Sequence, residues 1–288
     1  MPIDFAAAMA AHDDDLAYAY DDAKTMLYAL SIGMARDPLD AQELAFVYEK
    51  NLVALPTLAT VIASGARDVR TLGVNYALIL HGEQKLTLHR PLPVSASLSV
   101  NTRTKGVYDK GAGKGAIIVS EIAIRLAETQ EPLCTLETTH FARGDGGFSA
   151  TSGDSGTGPA PHPLPDRAPD HRCVMPTTPV QPLFYRLLGD RNILHADPDA
   201  ARAAGFDRPI LHGLCSYGIC CHAIVKTFCD YRPELIRQFD VRFSAPVFPG
   251  ETLIVEMWRD GDTISFRAVA EERGAVVINN GRCLIGQP

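Results

Sequence analysis

The densest group of chemically capable side chains lies in residues 188–206, LGDRNILHADPDAARAAGF. This segment places Asp190, Asn192, His195 and Asp197 within eight residues. A carboxylate and an imidazole five residues apart on an irregular loop can converge on one water or one substrate atom, one as acid and the other as base. Asn192, between them, can orient a carbonyl group or the water. The spacing therefore indicates general acid–base chemistry.

Each of these residues also has an ordinary structural interpretation. Asp190 can simply form a turn, and Asp197 in front of a proline is typical of the residue that caps a helix N-terminus. A single histidine such as His195 is more often structural than catalytic. The segment alone leaves both interpretations open.

A glycine in an apolar segment is the second candidate. Residues 209–228, PILHGLCSYGICCHAIVKTF, are apolar nearly all round, which predicts a buried helix with Pro209 in its first turn. Glycine inside a helix lowers helix stability by about 1 kcal/mol relative to alanine, so its presence often marks a close approach to a ligand. Gly213 is such a glycine. Near a helix N-terminus its N–H can stabilise an oxyanion. Close packing of the helix on a sheet is the alternative.

Composition excludes several classes of partner. The chain has 27 Lys and Arg against 34 Asp and Glu, a net charge of −7, and no basic block. Nucleic acid and an anionic membrane surface are therefore not expected partners. No apolar run approaches the roughly 18 residues of a membrane-spanning helix, and no basic region precedes the alanine-rich start, so no secretory signal is expected.

Cysteine usage and the C-terminal residues bear on location. The seven cysteines include no C-x-x-C pair and no spacing typical of zinc ligands, which predicts reduced, mostly buried thiols and no metal site. The sequence ends in IGQP, which is not the peroxisomal S-K-L address. A cytoplasmic protein is the expectation.

The chain is predicted to divide in two. Six glycines and six prolines fall between residues 144 and 176, which predicts a linker. The flanking segments, 1–143 and 177–288, are each of normal domain size.

These two segments share a local repeat at an offset of 155 residues. LTLHRPLPVSASLSV, residues 86–100, matches VRFSAPVFPGETLIV, residues 241–255. Five of six matched pairs are apolar and the sixth is a shared proline, which predicts strand, turn and strand in both halves. Further alternating stretches follow in each half, at residues 116–126, 133–141, 263–270 and 275–285.

Each half also places an apolar segment ahead of its strands, residues 209–228 in the second and a shorter one, residues 56–63, in the first. One buried helix followed by several antiparallel strands, twice over, predicts an α+β architecture in which a curved sheet wraps a central helix.

The two motifs GDRNILHADP and AGFDRPILHGLCSYG resemble the signature of the MaoC-like hydratases, specifically the hydratase 2 family of (R)-specific 2-enoyl-CoA hydratases. The resemblance covers almost the whole chain. Its supporting matches include residues 46–50, 55–57, 81–84, 91–93, 109–111, 146–148, 185–186, 246–247 and 249–250.

This resemblance implies a double hot-dog fold with one active site. It implies reversible hydration of trans-2-enoyl-CoA to (3R)-3-hydroxyacyl-CoA, of the β-oxidation type, by a homodimer without a cofactor. His195 would activate the water, Asp190 would handle the C2 proton and Asn192 would help to position both. Gly213 would donate its N–H to the thioester oxygen. Residues implied to contact or support the acyl-CoA are Glu49, His81, Gly82, Lys110, Arg191, Ile193, Leu194 and Phe243.

One residue departs from the family pattern, and several substrates stay open. Ile193 stands where the family usually has proline, which frees a backbone angle and adds an N–H. The alternatives are the same chemistry on steroid side-chain, branched or acyl-carrier-protein thioesters, and a non-catalytic acyl-CoA-binding hot-dog protein.

Overall fold

Ten strands form one antiparallel sheet. The computed structural model describes residues 3–66, 69–75, 78–158 and 160–286. Within them the strands are β1 (His12–Tyr20), β2 (Ile79–Leu88), β3 (Ala96–Asp109), β4 (Ala116–Leu126), β5 (Pro132–Ala142), β6 (His171–Pro176), β7 (Ile236–Phe243), β8 (Thr252–Asp260), β9 (Thr263–Ala270) and β10 (Ala275–Ile285). Their order in the sheet is β1-β3-β4-β5-β2-β7-β10-β9-β8-β6.

Helices are short, with one exception. The α-helices of the described residues are α1 (Phe5–Ala10), α2 (Asp22–Ser31), α3 (Ala41–Leu44), α4 (Ala59–Ile62), α5 (Ser149–Ser152), α6 (Gln181–Tyr185), α7 (Pro198–Ala203) and α8 (Gly213–Phe228). Single 3₁₀ turns occur at Pro56–Leu58, Val69–Leu72, Arg186–Leu188, Ile193–His195, Pro233–Leu235 and Glu271–Arg273. None of the described helices is long and apolar enough to cross a bilayer.

The long helix α8 is the centre of the second half. Eleven of its residues are buried, since its sequence is apolar on nearly every face. Its Tyr217 ring meets the Phe239 ring of β7 edge-on, with ring centroids 5.0 Å apart. Gly218 lets α2 approach, because a Cβ there would lie 2.6 Å from a methyl carbon of Ile32.

The predicted start of this helix is wrong by four residues. Pro209 lies outside α8, which begins at Gly213 with His212 as its N-cap. The Leu211 N–H donates to the Val247 carbonyl at 2.8 Å, which holds this stretch against a neighbouring loop and delays the helix. Gly213 is therefore the first residue of the helix.

Sheet register shows how the two halves are related. At their border β2 pairs with β7, and Lys85 lies opposite Asp240, its own counterpart at the offset of 155. Leu86 pairs with Phe239 and Gln84 with Val241, two pairs that the same offset interchanges. The strand order on one side of this border mirrors the order on the other. The halves are thus related by an approximate twofold axis through the Lys85–Asp240 pair.

The first half has a much shorter central helix than the second. The segment predicted at residues 56–63 forms the 3₁₀ turn Pro56–Leu58 and the single turn α4. The twofold axis relates the Phe243 end of β7 to the Leu88 end of β2. A cavity of about 120 Å³ lies at this end of β2. Its lining is apolar apart from one glutamate and comprises Val53, Ala54, Pro56, Leu88, Pro91, Leu92, Pro233, Glu234 and Ile236.

Two regular elements lie inside the segment predicted as a linker. Helix α5 begins at Ser149, and β6 pairs with β8 at the edge of the sheet. Gly147 and Ser149 donate their N–H groups to the Asp109 carboxylate, each at 2.7 Å, so the start of the segment is fastened to the end of β3. Glycine and proline content reports average composition and misses these anchors. The boundaries 1–143, 144–176 and 177–288 stay predictions, and Pro159 and the last two residues of IGQP lie outside the described residues.

Candidate active site

The loop between α6 and α7 is shaped by its own polar side chains. Gly189 has a φ of +132°, which other residues rarely adopt, and a Cβ there would lie 2.9 Å from the Ser64 hydroxyl. Asp190 Oδ1 accepts the Asn192 N–H at 3.1 Å, and Asn192 Oδ1 accepts the Leu194 N–H at 3.1 Å. These bonds wind the loop so that its next turn carries His195.

Asp197 has the structural role that its position in front of a proline predicts. Its carboxylate accepts the N–H groups of Asp199 and Ala200 and caps α7. It does not belong to the cluster formed by Asp190 and His195.

His195 is a buried imidazole with one nitrogen already used. The side chain is 8% exposed, and its Nδ1 lies 2.8 Å from the Ile210 carbonyl oxygen. Because a carbonyl only accepts, Nδ1 carries the proton and Nε2 keeps a lone pair. Burial lowers the pKa of His195, against the opposing effects of the Ile210 carbonyl and the Asp190 carboxylate. His195 is therefore a neutral base near pH 7.

A second imidazole completes the cluster. Asp190, His195 and His212 each offer a side-chain oxygen or nitrogen, and these atoms lie within 4.8 Å of one another. The rings of His195 and His212 stack, with centroids 3.7 Å apart and planes inclined by 27°. His212 Nε2 lies 3.3 Å from the Asp190 backbone carbonyl oxygen. Burial, together with the neighbouring His195, lowers the pKa of His212.

This arrangement suits proton transfer better than metal binding. In stacked rings the in-plane lone pairs of the nitrogens run side by side and do not converge on one point. His195 Nδ1 and His212 Nε2 are also already directed at carbonyl oxygens. The exposed Asp190 carboxylate and the free His195 Nε2 are left as an acid–base pair.

The first residue of α8 lies against an aromatic wall. A Cβ on Gly213 would lie 3.2 Å from Phe243 Cε1, so the Phe243 ring already covers this glycine. The N–H of Gly213, like those of every first helical turn, has no partner within its helix. The helix dipole adds a partial positive charge there. Gly213 thus offers a donor suited to an oxyanion.

Two more histidines stand behind that wall. The His81 ring meets Phe243 edge-on at 4.8 Å and stacks with His140 at 5.5 Å. Burial lowers the pKa of His81 to about 3 and that of His140 to about 4. Both rings are therefore neutral near pH 7. Among the residues of the first half that are predicted to contact acyl-CoA, His81 is the one that packs on Phe243, the ring that covers Gly213.

The other predicted contacts lie around this cluster or apart from it. Arg191 and Ile193 are exposed on the loop that carries Asp190 and His195, and Leu194 is half-buried beside them. Gly82 lies at a register shift between β2 and β5. Lys110 and Glu49 are exposed, and in the described part of the chain no hydrogen bond or ion pair joins either side chain to the cluster.

A different carboxylate of the first half is buried. Glu43 accepts hydrogen bonds from the Ala35 N–H at 2.7 Å, His222 Nε2 at 3.0 Å and the Tyr231 hydroxyl at 3.2 Å. Against the effect of burial, the hydrogen bonds from His222 and Ala35 and the nearby charges of His222 and Lys226 lower the pKa of Glu43 to about 2. His222 is nine residues into α8, about 13 Å from Gly213 along the helix. Glu43 therefore fastens α8 to the first half and lies away from the acid–base pair.

Sequence reasoning missed the part that His212 plays in the cluster. It named Gly213 as a candidate and did not name His212, the residue before it, as one. A signal was present, because His212 directly precedes the predicted oxyanion donor, but the ring stack depends on a loop 17 residues away.

Comparison with known proteins agrees with this architecture. The family model for the MFE-2 hydratase 2 N-terminal domain matches residues 18–144, and the MaoC like domain matches residues 161–281. A crystal structure of a MaoC-like dehydratase from Phytophthora capsici superposes with a TM-score of 0.83 at 33% identity, over 96% of both chains. A Mycobacterium tuberculosis protein described as a double hotdog fold superposes with a TM-score of 0.56 at 16% identity, over 96% of both chains. The fold is thus that of a two-repeat MaoC-like protein.

One relative narrows that class. The chain is 40% identical over 277 residues to a protein of Arabidopsis thaliana named enoyl-CoA hydratase 2, peroxisomal, which covers 91% of this chain and 89% of the relative. The chain belongs to the hydratase 2 family of MaoC-like proteins. The predictions of a MaoC-like hydratase and of a double hot-dog fold are confirmed.

Proposed function

We propose that this protein adds water reversibly across the C2–C3 double bond of trans-2-enoyl-CoA and gives (3R)-3-hydroxyacyl-CoA in fatty acyl-CoA metabolism. The observation that carries the proposal is the convergence of the Asp190 carboxylate and the neutral His195 imidazole beside the first N–H of α8. Membership of the hydratase 2 family supports the choice of substrate class.

In the proposed mechanism, His195 Nε2 accepts a proton from the water whose oxygen bonds to C3. The bond from Nδ1 to the Ile210 carbonyl holds the ring in the tautomer that this step needs. The electron pair of the double bond moves toward the thioester, and the protonated form of the Asp190 carboxyl group gives its proton to C2. The proton that His195 has taken from the water then returns to Asp190, which restores both groups. The Asn192 side-chain amide keeps an N–H₂ donor for the water, because its oxygen is bonded to Leu194.

The transient charge is proposed to fall on the thioester oxygen at the start of α8. There the Gly213 N–H donates to the enolate oxygen, and the helix dipole adds to the stabilisation. Losing one such donor typically costs about 10²–10³ in rate. Phe243 and His81 form the wall that keeps water away from this atom.

The remaining predicted residues are proposed to bind the CoA portion and the acyl chain. Lys110, an exposed cation on a protein with a net charge of −7, suits the CoA phosphates. Gly82, Arg191, Ile193, Leu194 and Glu49 stay proposed contacts or supports. The reaction is proposed to need no resident cofactor or metal, and a chelator should leave activity unchanged. A homodimer and a cytoplasmic location also stay proposals.

The test is an incubation with crotonyl-CoA and, separately, with a long-chain trans-2-enoyl-CoA. Loss of the conjugated thioester absorbance and formation of the (3R) alcohol are expected. An (S) product, or binding without loss of absorbance, would contradict the proposal. Branched, steroid side-chain and acyl-carrier-protein thioesters in the same assay determine the acyl group and the carrier.

Matched variants assign the acid and the base. Asp190→Asn and His195→Gln are expected to fold and to lose about 10²–10⁴ in kcat, the usual contribution of a positioned acid or base. Asp199→Asn and His12→Gln make the same chemical changes at exposed positions and should keep full activity. Full activity in both Asp190→Asn and His195→Gln would overturn the assignment.

A further inference from the structure

Two buried aromatic side chains stand behind His195, and the proposed reaction gives neither a part. His212 is 1% exposed and stacks on His195 at 3.7 Å. The ring of Tyr185, from the end of α6, lies 4.9 Å from the His212 ring. The three rings form a column that leads from the acid–base pair into the core.

His212 lies next to three residues of the proposed site, Asp190, His195 and Gly213. Its ring face covers His195, and its Nε2 lies 3.3 Å from the Asp190 carbonyl oxygen. It is also the N-cap residue of α8, covalently next to Gly213. One residue therefore contacts the base and the backbone of the acid, and directly precedes the oxyanion donor.

Burial is the main reason that His212 is neutral, and the charges around it act in both directions. Asp190 favours a cation there, while the His195 ring on one face and the Arg186 guanidinium disfavour it. Tyr185, on the other side, is itself buried and its pKa is raised well above its usual value, so it stays uncharged. Desolvation prevails, and His212 is neutral at neutral pH. Since a carbonyl only accepts, the proton of neutral His212 lies on Nε2.

We propose that His212 is a positioning residue, which shields one face of the His195 imidazole from water and fixes the Asp190 backbone relative to it. This inference rests on the proposed hydration. The ring stack and the hydrogen bond to the Asp190 carbonyl are two separable contributions. The stack keeps His195 poorly solvated and therefore unprotonated. The hydrogen bond keeps the acid at the distance from the base that proton transfer needs.

Two substitutions separate the contributions. His212→Phe keeps a ring on His195 and loses the donor to Asp190, whereas His212→Gln keeps a donor and loses the ring. For His212→Gln we expect the acid limb of kcat/KM against pH to move upward, toward the ordinary histidine value of about 6.5. For His212→Phe we expect that limb to stay in place and kcat to fall about 10-fold, because displacing a reacting group by 1 Å can cost about 10²-fold.

A buried histidine elsewhere on α8 provides the control. His222→Gln makes the same exchange at the imidazole that is hydrogen-bonded to Glu43, and it should lower the thermal midpoint without moving the pH profile. A purely structural role of His212 would give the same result as this control, and that result would overturn the inference. If the wild-type protein hydrates no enoyl-CoA, the proposed function itself fails. If it hydrates with pH profiles that neither His212 variant alters, only the positioning role fails.

An NMR titration of the wild-type protein keeps the inference testable if a variant does not fold. The ring signals of His195, assigned by their loss in His195→Gln, should titrate below pH 6.5, and those of His212 should not titrate above pH 5. A His195 ring with ordinary titration behaviour would contradict the shielding.

Discussion

Adding one methyl group to Gly213 tests whether the aromatic wall sets the position of the proposed oxyanion donor. The Cβ of Gly213→Ala would lie 3.2 Å from Phe243 Cε1 and 3.3 Å from Cδ1. Carbon atoms pack best at about 3.5–4.0 Å, so the ring or the start of α8 must move by a few tenths of an ångström. The φ of Gly213 lies outside the left-handed region, so alanine adds no backbone strain.

Activity should suffer more than stability. Alanine gains up to about 1 kcal/mol over glycine inside a helix, and the tight contact offsets this, so the free energy of unfolding should change by less than about 1 kcal/mol. The N–H is retained, so the full loss of about 10²–10³ for a missing donor does not apply. A shift of a few tenths of an ångström against about 10²-fold per ångström gives a fall of about 3- to 10-fold in kcat/KM.

The assay is hydration of crotonyl-CoA by Gly213→Ala, Phe243→Leu and the double variant. Leucine lacks the ring atoms that meet the new methyl group. Gly213→Ala should therefore reduce kcat/KM in the Phe243→Leu background by no more than half of its reduction in the wild-type protein. Gly158→Ala is the control, since the nearest atom to its Cβ is 3.9 Å away. Wild-type activity in Gly213→Ala, or a double variant with merely additive losses, would refute the steric argument.

Three further changes should alter stability in stated directions. Ile193→Pro should raise the free energy of unfolding, measured by urea denaturation, by about 0.4–1 kcal/mol and should keep activity. Proline fits this position because Ile193 is 62% exposed, begins a 3₁₀ turn and follows Asn192, whose ψ is 124°. Asp197→Ala should lower the free energy of unfolding by about 1 kcal/mol through loss of the α7 cap, in the same assay, with kcat unchanged. Lowering the pH from 7 to 4.5 should remove about 2–2.5 kcal/mol for each buried neutral imidazole, because the unfolded chain binds the proton below about 6.5 and the folded one does not. Protonation of Asp240, whose pKa burial raises to about 6, offsets part of that loss, and equal urea midpoints at both pH values would contradict the reasoning. The imidazoles concerned are those of His81, His140 and His212.

The strands were predictable because their pattern is local. Residues 116–126, 263–270 and 275–285 alternate in polarity between clear turns, and the strands begin and end at those residues. The start of α8 was not predictable in the same way. The fixed φ of Pro209 suits both a first helical turn and an extended segment, and a hydrogen bond from Leu211 to Val247, 36 residues away, decides between them.

Sequence separation also explains which site residues could be found. Asp190 and His195 lie on one loop, so their spacing alone predicts that they meet. His212 joins them across 17 residues, and Glu43 reaches His222 across 179. The sequence shows a histidine or a glutamate at these positions but not its partner, since the partner is set by how α8 packs in the sheet.

Within the described residues, the cluster of Asp190, His195 and His212 has no counterpart in the first half, because small changes at the related position remove what a second site would need. At the offset of 155, Leu58 stands in place of Gly213, and Pro56, which lacks an N–H, in place of Leu211. The turn that follows is α4, four residues long, whereas α8 has sixteen, so far less helix dipole is available. An oxyanion formed there would meet a leucine side chain and an apolar cavity, which would leave its charge unpaired. Leu58→Gly would therefore open space without creating a catalytic site. Adding Asp190→Asn to that variant should lower its activity as much as it does in the wild-type protein.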